Sequence, residues 1–325
     1  MSTLKVNTIQ DTTGNDALTI DSSGNVTASQ NTTLNGDVTV SGGFVPSTQL
    51  SHRNLIINGA MQVAQGGTSA TNVSEASDGF NKRTVDRFQT LLGGSLHTAV
   101  YTVSQDSNAP TGFSNSYKVS CTTADASLDA TVNSYIDYRI EAQDLQHLNY
   151  GTSNAKTLTL SFWVKSNQTG DYVSWQYTPD AARHRGTVYT INTSDTWEKK
   201  TITFSGDTSQ SINNDNGSGM FIRFVFAAGT DFTSGTLPSE WENIVSANRH
   251  PGQTANIGAS TSDYFQITGV QLEVGSVATP FEHRSYGEEL ARCKRYYEVL
   301  GRGGDWTGDR AYKLITHSKL TLLGS

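Results

Sequence analysis

The chain has 325 residues, of which 35% are hydrophobic and 16% are charged, and it carries a formal net charge of −7. Binding to nucleic-acid phosphates requires clustered Lys and Arg, and the short run Arg183 to Arg185 is interpreted instead as a solvated loop or strand edge. No apolar run reaches the roughly 20 residues of a membrane-spanning helix. The composition therefore argues against a nucleic-acid partner and against membrane insertion.

The rest of the chain is rich in Thr, Ser, Asn and Gly, with 30 glycines. Because Thr favours strands and both Gly and Asn accept turn conformations, this composition predicts an all-β protein. Cys121 and Cys293 are too few for a disulfide framework and are expected to be packed thiols. The start, Met1 to Gln10, shows no signal-peptide pattern, so synthesis in a reducing cytoplasm is expected.

Residues 1–50 form the first predicted domain, a thin stalk of short strands. Its few apolar residues are Leu18, Ile20, Val26, Leu34, Val38 and Val40. Two pieces form a rough repeat with strand-like alternation, Leu18–Gly24 and Asp37–Gly42. So few apolar side chains cannot offset a backbone entropy cost of roughly 1–2 kcal/mol per residue. The stalk is therefore predicted to form only as a homotrimer that buries this strip, and the alternative is a disordered polar leader.

Residues 51–285 form the second predicted domain, a jelly-roll β-sandwich. Short strands separated by Gly, Asn, Asp and Ser clusters are typical of this architecture. The predicted strands are Asn54 to Val63, Arg87 to Leu92, His97 to Val103, Tyr117 to Thr122, Ser134 to Glu141, Thr157 to Lys165, Asp171 to Tyr177, Trp197 to Ser205, Met220 to Ala227 and Tyr264 to Glu273.

Three of these strands alternate clearly between an apolar row and a polar or aromatic row. The apolar rows are Leu158, Leu160, Phe162 and Val164; Ile136, Tyr138 and Ile140; and Ile222, Phe224 and Phe226. The opposite rows contain Trp163 and Lys165, Tyr135 and Arg139, and Arg223. We expect the apolar rows to face the core, which leaves the opposite rows available for a binding site.

Residues 286–325 form a C-terminal helix and strand extension. Ser285 and Glu288 have the spacing of a capping box, which marks the start of a helix. Apolar residues then recur at helical spacing, and Gly301 is placed to end a helix of about four turns. That spacing is set by Leu290, Cys293, Tyr297 and Leu300. The stretch from Arg302 to Ser325 predicts one or two further strands.

Five short motifs occur along the chain in a fixed order. They are Asn54–Gln62, Val85–Phe88, Gly269–Gly275, Ala278–Glu282 and Cys293–Tyr297. This ordered set resembles phage tail fibre and virion fibre proteins, and the sandwich resembles the jelly rolls of carbohydrate-binding modules. The resemblance covers about Asn54 to Glu298.

The resemblance implies a homotrimeric structural fibre protein of a bacteriophage virion, made in the host cytoplasm. Residues 1–50 would attach to a tail or baseplate protein of the virion, and the sandwich would contact host cell-surface glycan. Two alternatives remain: a structural adaptor or spacer fibre that recognises nothing itself, and a polysaccharide-degrading tailspike.

Sugar binding needs a flat aromatic ring that stacks on the sugar, flanked by side chains that donate and accept hydrogen bonds. The outward rows offer five candidate glycan-binding residues: Tyr135, Arg139, Trp163, Lys165 and Arg223. The alternative for Trp163 is that it covers a contact between subunits. Among the other aromatic residues, Trp175, Tyr177 and Trp197 are expected at core or rim positions, and Trp241 is a possible exposed anchor.

The sequence contains no motif of a catalytic nucleophile, a phosphate-binding loop or a spaced metal site. Asp137 and Glu141 could be imagined as a glycosidase pair, but paired carboxylates are common on any surface. Asn213–Gly217 has oxygen ligands but lacks the closing Glu of a calcium loop, so a turn is preferred. We therefore expect no catalytic residue, no metal and no cofactor.

Overall fold

The computed structural model describes residues 8–10, 16–23, 26–28, 52–75, 84–94, 97–299, 312–316 and 319–323. These residues belong to two compact units, Met1–Ser47 and Thr48–Ser325. Within the described ranges, no helix is both long and apolar enough to cross a lipid bilayer.

The first unit contains a small antiparallel sheet. Its strands are β1 (Thr8–Gln10), β2 (Asp16–Ile20) and β3 (Val26–Ala28), in that order. Ile9 and Val26 are 48% and 63% exposed in the single chain, so this sheet leaves apolar side chains in water. Burial of such side chains against further copies would be favourable. The second predicted repeat, Asp37–Gly42, lies outside the described residues, and the trimeric stalk stays a prediction.

The second unit is a sandwich of antiparallel strands, which confirms the predicted fold class. Its strands are β4 (Ser69–Val73), β5 (Phe88–Gly93), β6 (Val100–Asp106), β7 (Ser116–Thr123), β8 (Asn133–Glu141), β9 (Leu158–Ser166), β10 (Gly170–Thr178), β11 (Arg183–Ile191), β12 (Glu198–Phe204), β13 (Ser218–Ala228), β14 (Glu242–Asn243) and β15 (Tyr264–Val274). A one-turn helix, α1 (Thr230–Thr233), and two 3₁₀ turns, Ala142–Leu148 and Ser246–Asn248, lie between strands.

The strands form two six-stranded sheets. The first sheet has the order β12-β9-β15-β7-β6-β4, and the second has the order β14-β11-β10-β13-β8-β5. Because strands that are distant in sequence lie side by side, for example β9 and β15, the chain crosses repeatedly between the sheets. Such crossovers are typical of jelly-roll topology.

The core lies between the two sheets and is built from the predicted apolar rows. Phe162 of the first sheet and Phe224 of the second are fully buried, with their ring centroids 4.9 Å apart. The inward residues of β8 are also buried, with Ile136 at 0% and Tyr138 at 1% exposure. The alternation in the sequence therefore identified the inward faces of these strands correctly.

The segment Asn54–Val63 was predicted as a strand, and this was wrong, because its residues form no strand. The Asn54 side chain replaces the ladder: its Nδ2 donates to the Val270 carbonyl oxygen at 3.1 Å, and its Oδ1 accepts from the Leu272 amide at 3.1 Å. Asn58 adopts a φ of 62°, in the left-handed region that a strand cannot continue through. The segment therefore lies against β15 as an irregular strap.

Arg284 ties this strap to the chain that follows β15. Its Nη1 donates to the Ile56 carbonyl oxygen at 3.1 Å and to Glu289 Oε1 at 3.0 Å. Its Nη2 donates to the Asn54 carbonyl oxygen at 2.5 Å and to Glu282 Oε2 at 3.0 Å. We call residues 54–63 together with residues 269–289 the clasp. It closes the sandwich where the two ends of the domain meet.

The C-terminal helix, α2 (Tyr286–Lys294), is shorter than the four turns predicted. Its start is as expected, since Ser285 Oγ accepts from the Glu288 amide at 3.3 Å. The helix ends early because Tyr296 is fixed on the sandwich, where its hydroxyl donates to Glu141 at 2.9 Å. The Arg87 guanidinium also lies 3.5 Å from the Tyr296 ring centroid.

After this helix the chain forms a separate three-stranded sheet. Its strands are β16 (Tyr297–Val299), β17 (Tyr312–Thr316) and β18 (Lys319–Leu323). One or two strands were predicted between Arg302 and Ser325, and β17 and β18 lie within that stretch.

Strand β11 was not predicted, and Arg183 to Arg185, interpreted as a solvated loop or strand edge, begin this strand with two of the three side chains buried. His184 is 0% exposed and Arg185 is 5% exposed. Arg183 is held by Asp207, whose Oδ2 lies 2.8 Å from its Nε. A charged side chain can enter a strand at low cost when it is paired in this way.

Trp241 was considered as an exposed anchor, but it is buried. It is 8% exposed, and its Nε1 donates to the Ser205 carbonyl oxygen at 2.8 Å. Its ring packs edge-on against Tyr150, with centroids 5.8 Å apart. The polar sequence around it covers an indole that belongs to the core.

We expect Gly59→Ala to destabilise the sandwich. A Cβ on Gly59 would lie 2.1 Å from the Val270 carbonyl oxygen, and the two residues also share a backbone hydrogen bond of 2.9 Å. Overpacking of this kind lowers the free energy of unfolding by about 1–3 kcal/mol. Urea unfolding followed by tryptophan fluorescence measures the change.

The matched control is Gly287→Ala in the first turn of α2, where an added Cβ would meet nothing within 4 Å. Because Ala is the better helix former, this variant should unfold at the same urea concentration or a higher one. Equal urea midpoints for Gly59→Ala and the unaltered chain would contradict the close approach of the strap to β15.

Candidate functional site

The structure divides the five predicted site residues between two faces. Tyr135 and Arg139 on β8 lie beside Arg223 on β13, on the outer face of the second sheet. Trp163 and Lys165 lie on β9, on the outer face of the first sheet. The two groups are therefore on opposite sides of the sandwich and cannot form one site.

The outer face of the first sheet carries a cluster that we call the Trp163 patch. Its six residues are all at least partly exposed: Asn108, Lys118, Trp163, Lys165, Trp197 and Tyr264. Strand pairing brings them together, since Trp163 lies opposite Lys199 of β12 and opposite Thr268 of β15. The patch therefore draws on residues from three neighbouring strands, β9, β15 and β7, from the loop after β6, and from the residue just before β12.

Asn108 connects the two sides of the patch. Its Oδ1 accepts from Trp197 Nε1 at 3.0 Å and lies 3.4 Å from Lys165 Nζ. The ammonium groups of Lys118 and Lys165 lie 5.1 Å and 6.0 Å from the Tyr264 ring centroid. Both distances fit cation–π contact.

Tyr264 is held in place by Asp195, to which its hydroxyl donates. Burial, together with this carboxylate, raises the pKa of Tyr264 well above its usual value. The phenol therefore stays protonated at any physiological pH. The patch presents aromatic rings, ammonium groups and amide or hydroxyl groups side by side.

A glycine allows Trp163 to lie against the sheet. Gly269 has a φ of 60°, and a Cβ there would lie 3.0 Å from Trp163 Cδ1 and 2.7 Å from Phe113 Cζ. Phe113 in turn meets Phe281, with ring centroids 5.0 Å apart. The aromatic surface therefore continues from Trp163 towards the clasp.

Sequence reasoning missed several residues of this surface. Trp197 was expected at a core or rim position and was not predicted as a binding residue, and it lies partly exposed beside Lys165. Tyr264 begins a predicted strand, so its outward direction could have been read from the alternation with buried Phe265. Phe113 and Asn108 are in a loop, where no periodicity indicates which way a side chain points.

The outer face of the second sheet carries a different cluster, centred on a buried carboxylate. Asp137 is 0% exposed, and its Oδ1 lies 2.7 Å from Arg223 Nε while its Oδ2 lies 2.6 Å from Arg139 Nε. Gln89 Nε2 also donates to Oδ2 at 2.8 Å. Burial alone would raise the pKa of Asp137, but the guanidinium groups of Arg223 and Arg139 outweigh it, and the pKa lies below its usual value.

Aromatic rings surround the same guanidinium groups. Arg223 Cζ lies 4.5 Å from the Tyr135 ring centroid and 4.7 Å from those of Trp175 and Phe221. Tyr135 and Arg223 are each only 7% exposed. Two of the five predicted glycan contacts are therefore largely covered, and Arg139, with 35% of its side chain exposed, is the accessible member of this group.

The segment between β13 and β15 covers part of this face. Trp175 is 1% exposed, and its Nε1 donates to His184 Nδ1 at 3.0 Å. His250 packs edge-on against the indole, with centroids 5.3 Å apart. Leu237 and Ile244 complete a second, smaller apolar cluster outside the main core. Trp175 is thus buried as expected, although on the outer side of its sheet.

The carboxylates considered as a catalytic pair are both engaged. Glu141 lies in an ion pair with Arg295, at 2.6 Å, and Asp137 is held by Arg139 and Arg223. In the described part of the chain, no cluster of His, Cys, Asp and Glu has the composition of a metal site. Asp215 Oδ1 accepts from the Gly217 amide at 2.8 Å, which forms a turn in the segment considered for calcium.

Comparisons with known proteins give distant structural similarity only. No protein-family model matches the chain, and no curated protein matches it. One similar structure is the enzymatically active domain of tailspike protein 4 of bacteriophage CBA120, at 13% identity and a TM-score of 0.34, covering 68% of this chain and 21% of that chain.

Two further structures are similar over most of their own length. A carbohydrate-binding module, CBM4, has 12% identity and a TM-score of 0.34, covering 67% of this chain and 98% of that chain. A cyclase from Fischerella sp. TAU has 11% identity and a TM-score of 0.34, covering 72% of this chain and 100% of that chain. The functional argument below rests on the side chains of this protein.

We expect Asp137→Asn to destabilise the protein at neutral pH by about 3–5 kcal/mol, because it leaves two guanidinium groups without their buried counter-charge. Because the folded-state pKa of Asp137 is below the unfolded value, its stabilisation is present above about pH 4 and is lost as the pH falls through the folded pKa. Denaturant midpoints between neutral and strongly acidic pH should therefore fall less steeply in the variant than in the unaltered chain.

The matched control is Asp231→Asn, since Asp231 is exposed and forms no ion pair with the described residues. It should leave the denaturant midpoint at neutral pH unchanged. If the denaturant midpoint had the same pH dependence in Asp137→Asn as in the unaltered chain, this carboxylate would not be ionised and paired as described.

Proposed function

We propose that this chain is a structural fibre protein of a phage virion, and that its sandwich binds host surface glycan through the Trp163 patch. The observation that carries the proposal is the grouping of three partly exposed aromatic rings, Trp163, Trp197 and Tyr264, on one sheet face with lysine and amide groups between them. Residues 1–50 would attach the protein to the virion.

The chemistry of the patch supports a sugar ligand. The apolar C–H face of a sugar ring stacks on an indole or phenol ring, and its hydroxyl groups pair with nearby donors and acceptors. Lys165 and Lys118 offer donors beside Tyr264. Trp163 is partly exposed, so a ligand can reach part of its indole.

The patch favours binding over catalysis. Two carboxylates border it: Asp106 pairs with Lys118 at 3.4 Å, and Asp195 is exposed and accepts hydrogen bonds from Tyr264 and Ser194, which lower its pKa. A glycosidase of the usual kind needs a protonated carboxylic acid opposite a second carboxylate. The proposed role is therefore adhesive, and the polysaccharide-degrading alternative is tested below.

Trp163→Ala should weaken glycan binding by about 1–3 kcal/mol if the indole stacks on a sugar, by analogy with the stacking of bases on aromatic side chains. An array of host-derived glycans probed with the full chain at up to millimolar ligand identifies the sugar. Titration calorimetry with that sugar then measures the effect of the substitution.

The matched control is Tyr286→Ala, because Tyr286 is an aromatic residue that is 57% exposed and is not one of the six patch residues. Its affinity for the glycan should not change. An array with no bound glycan would favour the spacer alternative, and unchanged binding by Trp163→Ala with altered assembly would assign Trp163 to a subunit contact. Release of reducing ends from a bound polysaccharide would favour the tailspike alternative.

The stalk proposal makes a separate prediction about assembly. The full chain should sediment as a trimer, because Ile9 and Val26 are otherwise exposed to water. A chain that begins at Ser51 should sediment as a monomer of the same sandwich. A full chain that is monomeric at micromolar concentration, with a leader that resists protease, would contradict the trimeric stalk.

A further inference from the structure

The outer face of the second sheet holds more positive than negative charge. Arg223 and Arg139 share the single carboxylate of Asp137, at 2.7 Å and 2.6 Å. A third guanidinium, that of Arg249, lies 5.5 Å from the Trp175 ring centroid, and Arg223 lies 4.7 Å from the same ring. Three guanidinium groups therefore lie on this face, and two of them share one buried carboxylate.

The other titratable groups of this face include one further carboxylate, that of Glu242 on the rim, so three guanidinium groups face two carboxylates. His250 is fully buried, and burial lowers its pKa to about 3, so it is neutral. Burial likewise lowers the pKa of His184, whose Nε2 faces Glu242 at 3.3 Å on the rim. The excess of positive charge is unusual in a chain whose net charge is −7.

Several donors on this face are unused. Within the described chain, Arg223 and Arg139 each make one side-chain hydrogen bond, through Nε to Asp137, and their terminal nitrogens make none. The Arg249 side chain makes none, and its Nε is buried without a partner. Burial, followed by the nearby guanidinium of Arg223, lowers the pKa of Arg249. Unpaired buried donors are costly, and a bound anion would satisfy them.

The face is also reachable from solvent. The Arg139 side chain is 35% exposed, and Arg249 and Tyr177 are half-buried. Tyr177 stacks on Trp175, with centroids 5.5 Å apart and planes inclined by 15°. An aromatic ring therefore stands at the edge of the basic cluster, where it could meet the ring of a sugar that carries a charged group.

We infer that Arg139, Arg223 and Arg249 form an oxyanion site that takes the carboxylate or sulfate group of an acidic saccharide. Guanidinium groups match the planar, two-oxygen geometry of a carboxylate and also bind sulfate. The anion site stands on the geometry of this face alone. The further statement, that the bound anion belongs to a sugar, rests on the proposed function.

Titration calorimetry on the full chain at low ionic strength tests the site. The probes are an oligogalacturonate, a sulfated oligosaccharide, an uncharged cello-oligosaccharide and inorganic sulfate. We expect one of the acidic saccharides to bind and the uncharged one to bind at least tenfold more weakly at this face, with an affinity that falls as salt screens the charges.

Arg249→Gln and Arg139→Gln should each weaken binding of the acidic saccharide by about tenfold or more, the usual effect of losing a charged hydrogen bond. Both residues are partly exposed, so both variants should fold, as their urea midpoints would verify. The matched control is Arg292→Gln, whose guanidinium forms an ion pair with Glu288 on α2, at 2.9 Å, and with no other residue in the described part of the chain, and it should not change the affinity.

Absence of binding by every anionic probe, or unchanged affinity in both variants, would overturn the site. Inorganic sulfate that binds as tightly as the saccharides would overturn the sugar part and leave a simple anion site. Trp163→Ala separates the two proposals: it should keep the acidic saccharide on the Arg face, whereas loss of that binding would place the ligand on the opposite sheet and contradict the inference.

Discussion

The sandwich depends on the clasp, in which side chains form hydrogen bonds with backbone groups that have no partner in a neighbouring strand. Buried backbone carbonyl and amide groups must find hydrogen-bond partners, and the strap at residues 54–63 has no ladder to supply them. The Asn54 side chain forms hydrogen bonds with backbone groups of Val270 and Leu272, and the Arg284 guanidinium donates to the carbonyl oxygens of Asn54 and Ile56. Glu282 and Glu289 hold Arg284 by ion pairs of 3.0 Å each. Because residues more than two hundred positions apart meet here, the clasp joins the two ends of the domain and fixes β15 at the centre of the first sheet.

The sequence predicted the parts of the fold that depend on local alternation, and it failed where side chains replace backbone pairing. Strands such as β8, β9 and β13 were predicted because apolar and other residues alternate with a period of two wherever one face of a strand is buried in the core. The strap has the apolar content of a strand, but the amide of Asn54 takes over the hydrogen bonds of the ladder. β11 was missed because Arg185 is a charged residue on an inward position. The helix was predicted too long because the contact of Tyr296 with Glu141 is not local.

Alternation shows which way a side chain points, but it does not show which strands are neighbours. Trp163 and Arg223 both point outward, as predicted, yet they belong to different sheets. Pairing of β9 with β12 and β15 brings Trp197 and Tyr264 to Trp163, and this pairing is set by the topology of the whole domain. The exposure of an outward side chain likewise depends on the fold of the whole domain, because a loop from elsewhere in the chain can cover it. The segment between β13 and β15 covers Trp175, while the rings of the first sheet stay partly open.

The five motifs that resemble fibre proteins lie mainly in contacts that hold the domain together. Three of them, Asn54–Gln62, Gly269–Gly275 and Ala278–Glu282, supply the clasp, and the other two bring Arg87 onto the Tyr296 ring. The Trp163 patch lies outside all five. The residues that carry the resemblance therefore concern how the sandwich closes, whereas the choice of ligand would be made by side chains on the two outer faces. A chain with the same clasp and different outward residues would keep this fold and bind a different partner.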